Sequence, residues 1–185
     1  MVCNLSISPG VSDLSLEAYQ AAGSISPDYL MFLDIDFSQK DSTDDDQNTL
    51  LHYIVQTPCS RGQKEKAKTV IETVVNGGKG VLTKQNAKGL TPMMICLQKK
   101  QKCLPMFEIL LDMAQSDDGQ DFMGDSLVHH AARLLDDKDV ELMKLILDKH
   151  GDFLDCPNFD GKTPFDMSKK YNTNSPKIQQ LVMMV

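Results

Sequence analysis

An all-α solenoid of about four divergent repeats, each a helix-turn-helix unit with a β-turn finger, is the fold this sequence predicts. Three observations predict it. Four short stretches align with one another: QNTLLHYIV (47–55), GLTPMMICL (89–97), GDSLVHHAA (124–132) and GKTPFDMSK (161–169). Each sets Gly, or Gln47, two residues before Thr49, Thr91, Ser126 or Thr163, and these positions are spaced by 42, 35 and 37. Each stretch is followed by a segment with apolar side chains at helical spacing.

Residues 1–45 precede the repeats and form an acidic N-terminal extension. SDLSLEAYQAA (12–22) predicts a short helix with Ser12 as its N-cap. DYLMFLDIDF (28–37) carries too many apolar side chains for a solvated tail. It predicts a cap on the first repeat, with docking on the basic band at 61–102 as the alternative. DSTDDD (41–46) predicts a solvated acidic linker.

The repeat domain covers 46–185, with units near 46–83, 84–120, 121–157 and 158–185. Thr or Ser at each helix start caps exposed N–H groups, and Pro92 and Pro164 suit a first helical turn that has no use for their missing N–H. Glycines 89, 124 and 161 permit a tight turn. GKGVLTKQNAKGLTP (78–92) and DFLDCPNFDGKTP (152–164) are turn-rich and predict fingers. Second helices are predicted over 64–75, 105–114, 139–150 and 176–185. In the third, Val140, Leu142, Met143, Leu145, Ile146 and Leu147 make a broad apolar face. The connections are lengthened around 57–66 and 97–104. Most of the methionines are expected to fill gaps in the core between units.

TPMM (91–94) and TPFD (163–166) keep a Thr-Pro pair, while TLLH (49–52) and SLVH (126–129) keep a histidine. On these residues the region 46–185 resembles ankyrin repeats, whose first helix opens T-P-L-H-x-A. The period departs from the family's, which is about 33 residues, so each unit here carries an insertion. The resemblance implies that His52 and His129 bond within the turn between repeats. It implies that His130, at a variable position, faces solvent or a partner. It also implies protein–protein recognition without catalysis, through finger turns, first helices and insertions. Within the family, the compact size, acidic extension and insertion-bearing repeats are most similar to regulators of the inhibitor-of-κB type. Those bind Rel-type transcription factors, and short divergent versions occur as pathogen-encoded mimics; an adaptor or scaffold subunit is the rival reading. The candidate partner-binding residues are Asn86, Lys88, Leu90, Met123, Asp125, His130, Phe159 and Lys162 at fingers and helix starts. Arg61, Lys64, Lys99, Lys100 and Lys102 join them from the basic insertions.

Charge is banded along the chain. Residues 1–46 hold nine acids against Lys40 alone, a net −8, whereas 61–102 carries +8 and 103–160 carries −10. Such bands steer partners and say nothing about fold. With no tryptophan and 6% aromatic residues, a base-stacking platform for nucleic acid is not expected. Five cysteines without CxxC spacing suit reduced thiols of the cytosol or nucleus better than a disulfide framework or a zinc site. Cys96 and Cys103 are expected to pack between helices, with a lysine-activated, redox-sensitive Cys103 as the alternative. No nucleophile with an oriented base is legible, so no catalytic residue, metal or cofactor is predicted. No small-molecule substrate is expected either. No apolar run nears the roughly 20 residues of a membrane span, and the N-terminus lacks the basic and apolar regions of a secretory signal. IQQLVMMV (178–185) predicts either an inward-packed last helix or an apolar face for oligomerisation.

Overall fold

The computed structural model describes residues 43–76, 80–114 and 119–183. The segments at 12–22 and 28–37, and the last two residues, lie outside the described residues. Among those described, the regular structure is helical and contains no strand. The helices are α1 (Leu50–Ile54), α2 (Lys64–Val75), α3 (Gly80–Thr83), α4 (Pro92–Leu97), α5 (Leu104–Met113), α6 (Leu127–Leu134), α7 (Val140–His150), α8 (Pro164–Tyr171) and α9 (Pro176–Met183). Single 3₁₀ turns sit at Arg61–Gln63, Lys100–Cys103 and Gly151–Phe153. The second helices fall where their apolar spacing predicts. Helix α3 was expected to be part of a finger. Gly and Thr are poor helix formers, and burial of Val81 and Leu82 holds this single turn in place of local propensity.

Helices α1, α4, α6 and α8 are five to eight residues long, too short to persist alone in water. Local chemistry starts each one. The Thr91 hydroxyl accepts the Met94 N–H at 3.4 Å. At α8, Thr163 accepts the Asp166 N–H at 3.3 Å, and the Asp166 carboxylate accepts the Thr163 N–H at 3.1 Å, a reciprocal capping box. Packing does the rest. The four helices lie in a row, each against the next, and each also packs on the second helix that follows it. In the second row α2 packs on α5 and α7 on α9, whereas α5 and α7 make slight contact at most.

The core lies between the two rows. Leu51, Ile71, Met94, Leu97, Phe107, Leu110, Leu142, Met143 and Ile146 are fully buried there. Each such side chain contributes about 1.5–3 kcal/mol, which is what short, weakly propagating helices need. Five methionines (Met93, Met94, Met106, Met143 and Met167) are buried as gap fillers, while Met123 and Met183 are exposed. Cys96 is buried in the helix layer, as expected; the Cys103 side chain lies outside the described residues. In α9, Ile178 and Val182 turn inward and Met183 faces outward. No helix among the described residues is long and apolar enough to cross a membrane.

Candidate functional site

One turn is built four times. Asp44, Asn86, Asp121 and Asn158 each stand five residues before a helix cap. Their Oδ1 atoms accept the N–H four residues on, at 2.7, 3.0, 2.9 and 2.9 Å. In the last three turns the same oxygen also accepts the N–H two residues on. The backbone closes each loop again, through bonds such as Asn158 N–H to the Lys162 carbonyl at 2.8 Å. A side chain that bonds its own backbone in this way specifies a turn without any sheet. The third residue after each Asp or Asn lies in the left-handed region: Gln47 at φ 59°, Gly89 and Gly124 at 76°, and Gly161 at 69°. Glycine suits three of these positions, and Gln47 tolerates the fourth.

Asp44 corrects one expectation. The DSTDDD stretch does not stay a solvated linker to its end, because Asp44 is buried and opens the first turn. Burial would raise its carboxyl, but hydrogen bonds from Tyr53 and Asn48 prevail and hold it below the usual carboxylate range.

Two histidines join units. The Thr49 N–H donates to His52 Nδ1 at 3.0 Å, which fixes the proton on Nε2, and Nε2 donates to the Leu90 carbonyl of the next turn at 3.1 Å. Ser126, His129 and the Lys162 carbonyl repeat this at 3.2 and 2.9 Å. The expected role of both is the one observed. Burial lowers the pKa of His52 and keeps it neutral.

His130 departs from expectation. It is 2% exposed and does not face solvent. Arg133 donates to its Nδ1 at 2.8 Å, and its Nε2 donates to Asp121 at 2.9 Å. Burial first, then the Arg133 charge, lowers its pKa. Asp125 continues the circuit, pairing with Arg133 at 3.6 Å and accepting the Asn158 amide at 2.6 Å. Potential ligand atoms of Asp121, Asp125 and His130 lie within 4.8 Å of one another. The guanidinium of Arg133 already serves that cluster as its cation, so the set is a self-satisfied network and not a metal cradle.

The other candidate residues divide by exposure. Asn86 and Asp125 are buried inside the turns, and Leu90 is half-buried against the core; these three act on the turn and not on a partner. Lys64 is half-buried and paired with Glu108. Lys100, at φ 53°, pairs with Asp136 at 3.0 Å. Arg61, Lys88, Lys99, Lys102 and Lys162 are exposed. Met123 is 52% exposed and Phe159 is 74% exposed.

Phe122, 58% exposed, and Tyr171, 51% exposed, were not singled out from the sequence. Register could have found the first, since Phe122 and Phe159 both directly follow the turn Asp or Asn. Phe122 lies on Gly89 and Phe159 on Gly124, so closely that a Cβ at either glycine would come within 2.7 Å. Successive finger tips therefore present Phe122, Met123 and Phe159 as one apolar ridge. No protein-family model and no curated protein matches the chain.

Proposed function

We propose that this chain is a non-catalytic protein-interaction module: an ankyrin-type solenoid that binds and inhibits a signalling or transcription-factor partner in the cytosol or nucleus. The inhibitor-of-κB type is the nearest pattern. One observation carries the reading. The same Asx-closed turn recurs four times at the spacing of the helix caps, and its tips expose Phe122, Met123 and Phe159 beside Lys88 and Lys162. Large apolar side chains exposed together at successive turn tips mark a contact surface more often than a stability device.

Affinity capture from cytosolic and nuclear lysates tests it, with the native chain beside a Phe122→Ser, Met123→Ser, Phe159→Ser variant. Recovery of a Rel-type transcription factor by the native chain, and its loss with the variant, is the expected result. Recovery of a ligase, kinase or cytoskeletal partner would move the function to an adaptor or scaffold. Identical captures by both chains would remove the ridge from the account.

A further inference from the structure

Where the third and fourth turns meet α6 and α8, they wall a cleft of about 410 Å³. Its charges are unequal once its internal bonds are counted. Asp125 is buried and committed to Asn158 and Arg133. Asp166 is committed to the N–H and hydroxyl of Thr163, both at 3.1 Å. Arg133 is spent on its pair with Asp125, so among the lining residues Asp160 then stands alone against Lys162, Lys169 and Lys170. Arg133 is held between Asp125 and His130 Nδ1, the latter at 2.8 Å, and forms a fixed wall of the cleft. Apolar surface flanks the cations: Met123 and Tyr171 line the same cleft, each about half exposed.

Resting on the interaction-module reading, we propose that this cleft takes an acidic, apolar-anchored segment of a partner protein. Its carboxylates face Lys162 and Lys169, and an apolar side chain lies between Met123 and Tyr171. Ammonium groups on exposed, flexible stems suit carboxylates as adjustable point charges. The volume fits a few side chains and not a folded domain. A nucleic-acid strand suits the site less well, because among the lining residues Tyr171 alone offers a ring on which a base could stack.

The test uses the full chain and a fluorescein-labelled peptide of alternating Asp and Phe, beside the same peptide with Asn for Asp. Anisotropy should give about tenfold tighter binding of the Asp peptide, shrinking as salt rises. Lys162→Gln with Lys169→Gln should remove most of that preference, and Met123→Ser should weaken both peptides. These side chains are exposed, and unchanged thermal melting would certify the variants as folded. Arg133→Gln is avoided because it strips the His130 network.

No binding, equal affinities for the two peptides, or an Asp preference indifferent to the lysine changes would overturn the assignment. Displacement of the Asp peptide by a generic DNA duplex, or by self-association of the chain, would overturn it too. If it is overturned while the finger variant still loses its captured partner, the interaction-module reading stands. If the finger variant captures what the native chain captures, the ridge leaves the account and the peptide alone decides the cleft; a native chain that captures nothing removes the interaction-module reading.

Discussion

The outer joints of the molecule and its middle joint are made differently. Between the first and second turns, His52 reaches the Leu90 carbonyl, the Asn86 amide donates to Asn48 at 2.9 Å, and the Ala87 N–H donates to the Asp46 carbonyl at 2.7 Å. Between the third and fourth, His129, Asn158 and the Phe159 N–H repeat all three bonds. Between the second and third, Met94 stands where the histidine would, Asp121 where the amide donor would, and Leu90 where its acceptor would. That joint is held by buried Met94 and its neighbours, by Gln85 donating to the Gln120 carbonyl, and by the half-exposed pair of Lys100 and Asp136. Such an exposed pair contributes little. The lesson concerns polar groups in company. A buried donor without its acceptor costs about 1–3 kcal/mol, while losing both partners together is nearly neutral, and here all three positions differ together.

The comparison can be broken most directly at the histidines. His52→Leu or His129→Leu leaves a cap N–H and the next turn's carbonyl unpaired, and should cost about 2–4 kcal/mol in urea unfolding. Met94→Leu should cost under about 1.5 kcal/mol. Equal losses would mean the clamps add nothing to packing.

The glycines sharpen it. Gly89→Ala drives a Cβ to 2.7 Å from the Phe122 backbone nitrogen, which cannot step aside. Gly124→Ala meets the Phe159 ring at the same distance, but that exposed ring can swing away. Gly161→Ala meets nothing and bears the positive φ alone. Losses of about 3, 2 and 1 kcal/mol are expected in that order, read from thermal melts. Met94→His, which restores the clamp residue at the middle joint, should gain about 1 kcal/mol; a loss would show that no acceptor awaits it.

Acid should act mainly through His52 and His130. Both have folded pKa values below the unfolded value of about 6.5. The unfolded chain therefore binds more protons, and stability present above about pH 6.5 is lost as pH falls through the folded values. Melting temperature should decline from pH 7.5 toward pH 5, and His52→Leu should flatten the slope. Asp44 adds a second loss below about pH 4, in the same direction. The smallest effect is expected at the first turn, where Gln47→Gly relieves φ 59° and should gain a few tenths of a kcal/mol.

Much of this was legible in the residues. The caps at Thr49, Thr91, Ser126 and Thr163, the second helices and the histidine bonds follow from spacing and from the family resemblance. The turn device was missed, although Asp44, Asn86, Asp121 and Asn158 repeat the cap spacing of 42, 35 and 37. Asp, Asn, Gly and Pro all crowd these stretches, and composition does not single out the one side chain that closes the loop. His130 was misplaced because its partners, Asp121 and Arg133, come from a turn and from the next helical rung. No local pattern announces that three-body meeting. The cleft is equally a product of assembly, since its cations come from two helices and a turn.

Unequal joints also give the chain a direction of failure under load. Stretched between its ends, as in an optical trap, it should part first at the seam between Met94 and the Ser126 helix, where the Gln85 bond and the half-exposed Lys100–Asp136 pair stand in place of the histidine clamp. The distal half, cross-tied by His129 and Asn158, should then give way as one block, releasing on the order of 200 Å of chain at about 3.5 Å per residue. A tether of this kind would yield at its middle before either clamped half opened.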